Sequence, residues 1–180
     1  MLLLTAWVAV GCTPASNTAS AKGGGGTSAT PTPSATAVTP NAVVVAHVDG
    51  DTLKVNIDGV TETVRLIGID TPETKKPGTP VECFGKEASA HLAALVPQGM
   101  PVRLERDVEE RDRYGRLLVY LYRATDGLFV NLAMVTDGFA AQLTIPPNVA
   151  HVDEFRQAAA EAREAGRGLW GSCGGAHSPT

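Results

Sequence analysis

Arg65-Leu66-Ile67-Gly68-Ile69-Asp70-Thr71-Pro72-Glu73 is an apolar run with charge at both ends. Its first part reads as a half-buried strand. Asp70-Thr71-Pro72 stops it, because proline lacks a ladder donor and restricts the residue before it. The strand end therefore carries charge: Arg65 and Glu73 bracket the run and Asp70 sits at the break. Carboxylates fixed at a rigid strand terminus suit a hard cation, or a water that must lose a proton. A solvated turn capping a strand is the plain structural alternative. The neighbouring segments decide between the two.

Upstream, residues 42–49 (AVVVAHVD) and 52–58 (TLKVNID) read as two more strands, one β-branched and one alternating. Asp58-Gly59 is a hairpin signal, so residues 62–70 become the third strand of a meander, with Asp49-Gly50-Asp51 in its first turn. An EF-hand is excluded, since Leu53 stands where a third oxygen ligand is needed. Downstream, residues 74–81 form a Lys/Pro/Gly loop expected to be exposed and mobile. Residues 84–96 follow as a helix with Ala88, His91, Leu92 and Leu95 on one face. His91 on that apolar stripe reads as a packing residue rather than a ligand. Residues 102–107 form a short strand and residues 117–122 (LLVYLY) a strongly apolar one, joined by the charged loop 108–116. A short helix near 131–137 is stopped by Gly138. A longer one over 152–165 turns Val152, Phe155, Ala159 and Ala162 inward, and Leu169-Trp170 docks the chain end. Five strands with a helix between the third and fourth is the connectivity of an OB-fold. The expected fold is therefore α+β and mainly β: a five-stranded Greek-key barrel with three helices.

The chain has 180 residues, 43% hydrophobic and 19% charged, which allows one modest domain plus appendages. A net charge of −4 supplies no global positive field, so a polyanionic substrate would have to be positioned by local arginines. Residues 1–11 (MLLLTAWVAVG) suit the apolar region of a signal peptide, and Ala9-Val10-Gly11-Cys12 resembles a bacterial lipobox whose cysteine takes lipid. It departs from that pattern with alanine in place of the usual leucine and with no Lys or Arg ahead of the run. An ordinary cleaved secretory signal is the alternative. Residues 12–40 are Ser, Thr, Ala, Gly and Pro and read as a flexible tether. Gly23-Gly24-Gly25-Gly26 is no phosphate loop, as no strand precedes it and no Lys-Ser/Thr follows. The folded domain is expected over 41–173, with 174–180 as a frayed tail. Of three cysteines, the lipobox assigns Cys12 to lipid and leaves Cys83 and Cys173. An exported protein is expected to join them in a disulfide worth about 4 kcal/mol. Two free thiols are the alternative. Zinc is not indicated, because neither cysteine lies in a CxxC and the four histidines lack ligand spacing.

Asp49-Gly50-Asp51-Thr52, residues 65–73 and Asp112-Arg113-Tyr114-Gly115-Arg116 together resemble the staphylococcal thermonuclease (micrococcal nuclease) family in order, spacing and residue type. The resemblance runs over about residues 42–170. It implies an OB-fold and a calcium-dependent endonuclease that hydrolyses DNA and RNA with little sequence specificity, leaving 3′-phosphate ends. It further implies Asp51 and Asp70 as calcium ligands with the Thr71 carbonyl, Asp49 acting through water, and Glu73 at the bound water as general base, the alternative being that Glu73 chiefly positions that water and the loop around it. Arg65 and Arg116 match the family's phosphate-binding arginines, and Arg113 and Tyr114 match further substrate contacts. One departure stands out: Thr144 and Pro146 occupy positions where the family commonly carries base-stacking tyrosines. Such stacking contributes roughly 1–3 kcal/mol per base, so weaker nucleotide affinity or a shifted sequence preference is expected. A non-catalytic OB-fold module binding single-stranded nucleic acid at the cell surface is the alternative function. A domain with purely structural calcium would leave Arg65 and Arg116 unexplained. The expected setting is extracytoplasmic, lipid-anchored through Cys12 or secreted, as a monomer.

Overall fold

The computed structural model describes residues 36–74 and 81–176. The expected signal segment, Cys12, most of the tether, loop residues 75–80 and residues 177–180 lie outside them. Among the described residues five strands close a barrel: β1 (Ala42–His47), β2 (Thr52–Ile57), β3 (Val60–Leu66), β5 (Pro101–Glu105) and β6 (Leu117–Arg123). They run in the order β1-β2-β3-β6-β5, and β5 pairs back onto β1. All pairings are antiparallel except β3 with β6. The Asp58-Gly59 turn has the positive φ values, 49° and 89°, that a tight hairpin requires. Alternating apolar residues such as Leu53, Val55, Val64, Leu66, Val119 and Leu121 are buried in one core.

The third strand does not run to Asp70 as its apolar pattern suggests. It ends at Leu66, and the chain turns at Gly68 with φ 83°. Ile69–Asp70 (β4) then pairs with Ala141–Gln142 (β7) in a separate two-stranded sheet. Two tertiary features cause the break. Phe155 lies so close to Gly68 that a Cβ there would sit 2.2 Å from its ring, and Asn131 bonds the Ile67 carbonyl. Asp70 is thereby aimed by the helical layer rather than by the barrel.

That layer comprises α1 (Gly85–Leu95), α2 (Val130–Thr136), α3 (Val152–Glu164) and a single extra turn, α4 (Leu169–Ser172). α3 buries Phe155, Ala158, Ala159 and Ala162, whereas Val152, expected inside, is only half-buried at the helix start. His91 packs as expected: its ring stacks on Phe139 at 3.8 Å and Nε2 meets Asp137 at 2.9 Å. Cys83 and Cys173 form a disulfide joining the approach to α1 with the end of α4. Two segments expected to be loose are held. The Val38 N–H donates to Ala124, and the Gly175 N–H donates to Leu169 although residues 174–176 read as frayed tail.

Candidate active site

The turn between β1 and β2, the β4 end and the start of α1 meet closely because two glycines allow it. A Cβ on Gly50 would lie 2.8 Å from the Thr71 hydroxyl, and one on Gly85 would lie 3.1 Å from the Pro72 and Glu73 carbonyls. The meeting point is an acidic pocket of about 300 Å³ lined by Asp49, Asp51, Asp70, Thr71, Glu73 and Glu82, with Arg65 and Arg116 in its wall. Arg65 lies between two of the carboxylates. Its Nη1 is 2.8 Å from Asp51 Oδ2 and its Nη2 is 2.9 Å from Asp70 Oδ1. Residues opposite each other in the β2–β3 ladder, Thr52 and Arg65, explain why Asp51 faces Arg65; the Gly68 turn brings Asp70 round to the same group.

Asp51 is held further by the Thr71 N–H and hydroxyl, which donate to Oδ2 at 3.1 and 3.0 Å, and by the Thr52 hydroxyl on Oδ1 at 2.9 Å. With 10% side-chain exposure it is a preorganised, nearly buried carboxylate, which only such bonds and the paired guanidinium make tolerable. Asp49 Oδ1 accepts the Gly50 N–H and the Thr74 and Ser89 hydroxyls, tying the turn to α1. Glu73 Oε1 accepts the Thr74 N–H at 2.9 Å, while the Glu73 N–H donates to Glu82 Oε2 at 3.0 Å. Glu82 did not stand out in the sequence; only the fold brings it back to Glu73.

Arg116 enters from the β5–β6 loop. Asp112 Oδ2 accepts its Nε–H at 2.7 Å, and Asp112 Oδ1 accepts the N–H groups of Tyr114 and Arg116. Burial pushes the Asp112 carboxyl up, but Arg116 and these N–H bonds outweigh it and hold the group below its ordinary range. The exposed Tyr114 ring carries the Arg113 guanidinium at 4.8 Å and that of Arg116 at 5.4 Å, and its hydroxyl accepts from Arg113.

Arg65 and Arg116 also line a second pocket of about 450 Å³. Its floor and walls include Leu66, Leu118, Tyr114, Leu143 and Ile145, so it is apolar where the first is acidic. Thr144 and Pro146 do not line it; Leu143 and Ile145 take the wall beside them. No periodic signal marked these two, because they lie in a loop held from outside. Asn148 Oδ1 accepts the Glu109 N–H and its Nδ2 donates to the Glu109 carbonyl, clamping the 144–149 segment to the β5–β6 loop.

The candidate residues thus gather at two adjoining pockets joined by two guanidinium groups. Asp51, Asp70, Thr71, Asp49 and Glu73 fall in the acidic one, Arg113 and Tyr114 at the apolar one. The donor set is all oxygen, which suits a hard cation, and Asp51 and Asp70 already converge on one positive group. These residues fit such an ion. Among the described residues no group of three His, Cys, Asp or Glu side chains converges as a metal set, and Arg65 bridges the two aspartates.

Residues 63–172 match the staphylococcal nuclease homologue family. The chain is 38% identical to the thermonuclease of Staphylococcus hyicus over 127 residues, 71% of this chain and 73% of that protein. It is 42% identical to the thermonuclease of Staphylococcus intermedius over 123 residues, 68% of this chain and 71% of that one. To the SPbeta prophage-derived endonuclease YokF of Bacillus subtilis (strain 168) it is 40% identical over 129 residues, 71% of this chain but 43% of that longer protein. With the family match covering more than half its length, on a closed barrel whose charged loops meet at one end, this chain belongs to the staphylococcal nuclease homologue family.

Proposed function

We propose that the chain is a calcium-dependent nuclease that hydrolyses phosphodiester bonds of DNA and RNA with little sequence preference, leaving 3′-phosphate ends. The observation that carries the reading is the shared wall: Arg65 and Arg116 border both the acidic pocket and the apolar one. A phosphate held at that wall has carboxylates on one side and room for its nucleoside on the other. The two relatives named thermonuclease and the one named endonuclease support the nuclease class.

The planar forks of Arg65 and Arg116 engage phosphate oxygens and stabilise the charge that develops on them, in a recess where solvent screens weakly. Glu73 orients the attacking water and accepts its proton. Asp51, Asp70 and the Thr71 carbonyl would hold calcium, which when bound polarises a phosphoryl oxygen. Leu118, Leu143 and Ile145 receive the base through apolar contact, which tolerates any base and binds less tightly than aromatic stacking, and Tyr114 borders the same pocket. Single-stranded or locally melted substrate is favoured, because a base must leave the duplex stack to enter the apolar pocket. The disulfide supports an oxidising, extracytoplasmic setting, and Cys12 is the proposed lipid anchor.

The alternative is an OB-fold module that binds single strands without cutting. Hydrolysis of single-stranded DNA by the purified chain, in calcium and in chelator, separates the two. Calcium-dependent cleavage is expected, falling by about 10²–10⁴ in Glu73→Gln. Binding without cleavage under the same conditions would establish the module instead.

A further inference from the structure

We propose that the Cys83–Cys173 disulfide, acting through Glu82, holds Glu73 in its working position, so that reduction slows cleavage while the barrel stays folded. The proposal rests on the reading of Glu73 as the base. Glu73 and Glu82 bind each other twice: the Glu73 N–H donates to Glu82 Oε2 at 3.0 Å, and the Glu82 N–H donates to the Glu73 carbonyl at 2.9 Å. The Gly85 N–H in turn donates to the Glu82 carbonyl. Glu73 is therefore positioned by the short segment leading into α1.

That segment is not self-supporting. Phe84 adopts a left-handed conformation, φ 70°, which side chains other than glycine seldom accept and which persists only where the surroundings impose it. α1 starts there without a side-chain cap. The constraint comes from two contacts outside the segment: the Phe84 ring on Phe139 in the turn after α2, and the disulfide from Cys83 to Cys173 near the chain end. Cys173 is itself well anchored. Its N–H donates to the Leu169 carbonyl, the Leu169 side chain is fully buried, and the Leu169 N–H donates to Gly138. The crosslink thus ties the Glu82 segment to the core through α4, outside the barrel's own hydrogen bonds.

Opening the link takes two electrons and two protons from a dithiol. The S–S bond breaks, Cys83 and Cys173 become thiols, and the dithiol leaves as its own disulfide. The positioning segment loosens while the five barrel strands keep their ladders. Such an enzyme works fully where disulfides persist and poorly where thiols are kept reduced, which restrains it in a compartment holding the cell's own nucleic acid.

The test compares the oxidised chain, the chain reduced with a dithiol and the Cys83→Ser/Cys173→Ser variant. It measures single-stranded DNA hydrolysis and amide hydrogen exchange residue by residue. Reduction is expected to lower kcat by roughly tenfold to a hundredfold, the scale of a small misplacement of a reacting group, with KM changed less than about twofold. Exchange at the Glu73 N–H should accelerate while Leu53, Val64 and Leu121 keep their protection. Glu82→Gln, which retains an accepting oxygen, should preserve protection at Glu73, and Glu82→Ala should lose it. Unchanged kcat and unchanged Glu73 exchange with both thiols free would overturn the proposal. So would equal loss of protection across the barrel, which would make the link a general staple. An oxidised chain that cut nothing would refute the nuclease reading alone, and exchange at Glu73 would still decide the coupling.

Discussion

Asp112 engages both carboxylate oxygens within its own loop, and the result is an Arg116 side chain fixed at the pocket wall. Replacing it by asparagine keeps an acceptor for the two N–H groups but removes the charge opposite the guanidinium. We expect kcat/KM to fall by about tenfold, the loss attached to one weakened charge-assisted contact. The carboxyl is held low in the folded protein, so its contribution to stability is present above the unfolded carboxylate range, near about pH 4, and is lost as pH falls through the lowered folded value. Unfolding of wild type and Asp112→Asn by urea at several pH values checks the sign: the stability gap should be full at neutral pH and close in acid. A gap that widened in acid would contradict it. At this scale the sequence was informative about residue types and silent about partners. Arg65 and Asp70 lie five residues apart across a glycine turn, and nothing in their spacing reveals that one guanidinium joins Asp70 to Asp51.

Among the elements, α2 reaches both the barrel and the strand that carries Asp70. Asn131 is fully buried, and its side chain accepts the Leu121 N–H and donates to the carbonyls of Ile67 and Val119. One amide therefore joins α2 to β6 and to the last residues before the Gly68 turn. Leucine at this position has the same branched outline, though it is bulkier, and leaves the Ile67 carbonyl and the Leu121 N–H without their partner. The expected cost is about 2–4 kcal/mol, read as a lower urea midpoint at unchanged m-value. Because the Ile67 bond also fixes where Asp70 emerges, cleavage should fall at temperatures where the variant remains folded. The meander, its Asp58-Gly59 turn and both long helices were legible because each is a local pattern: alternation, a turn dipeptide, a repeating apolar stripe. The end of β3 was not legible. Apolar residues continue through Leu66, Ile67 and Ile69, and the break is imposed by Phe155 and β7, which arrive from far along the chain.

For the whole molecule, the decisive fact is a local cluster of arginines on a negative chain. The net charge is −4, yet Arg65, Arg113 and Arg116 all line the apolar pocket. Substrate capture should therefore depend on a few contacts near the pocket rather than on a broad attractive field. Salt dependence measures the number of such contacts, because each neutralised phosphate releases counterions. With about three contacts to a single strand, the slope of log kcat/KM against log salt should be about −2. Arg113→Gln should make it shallower by about 0.7 while leaving kcat nearly unchanged, since Arg113 contacts Tyr114 at the rim rather than the carboxylates. A slope near −5 in the wild type would mean that strand contacts extend well past these pockets. The lysines and arginines elsewhere on the barrel would then have to be counted as part of the binding surface.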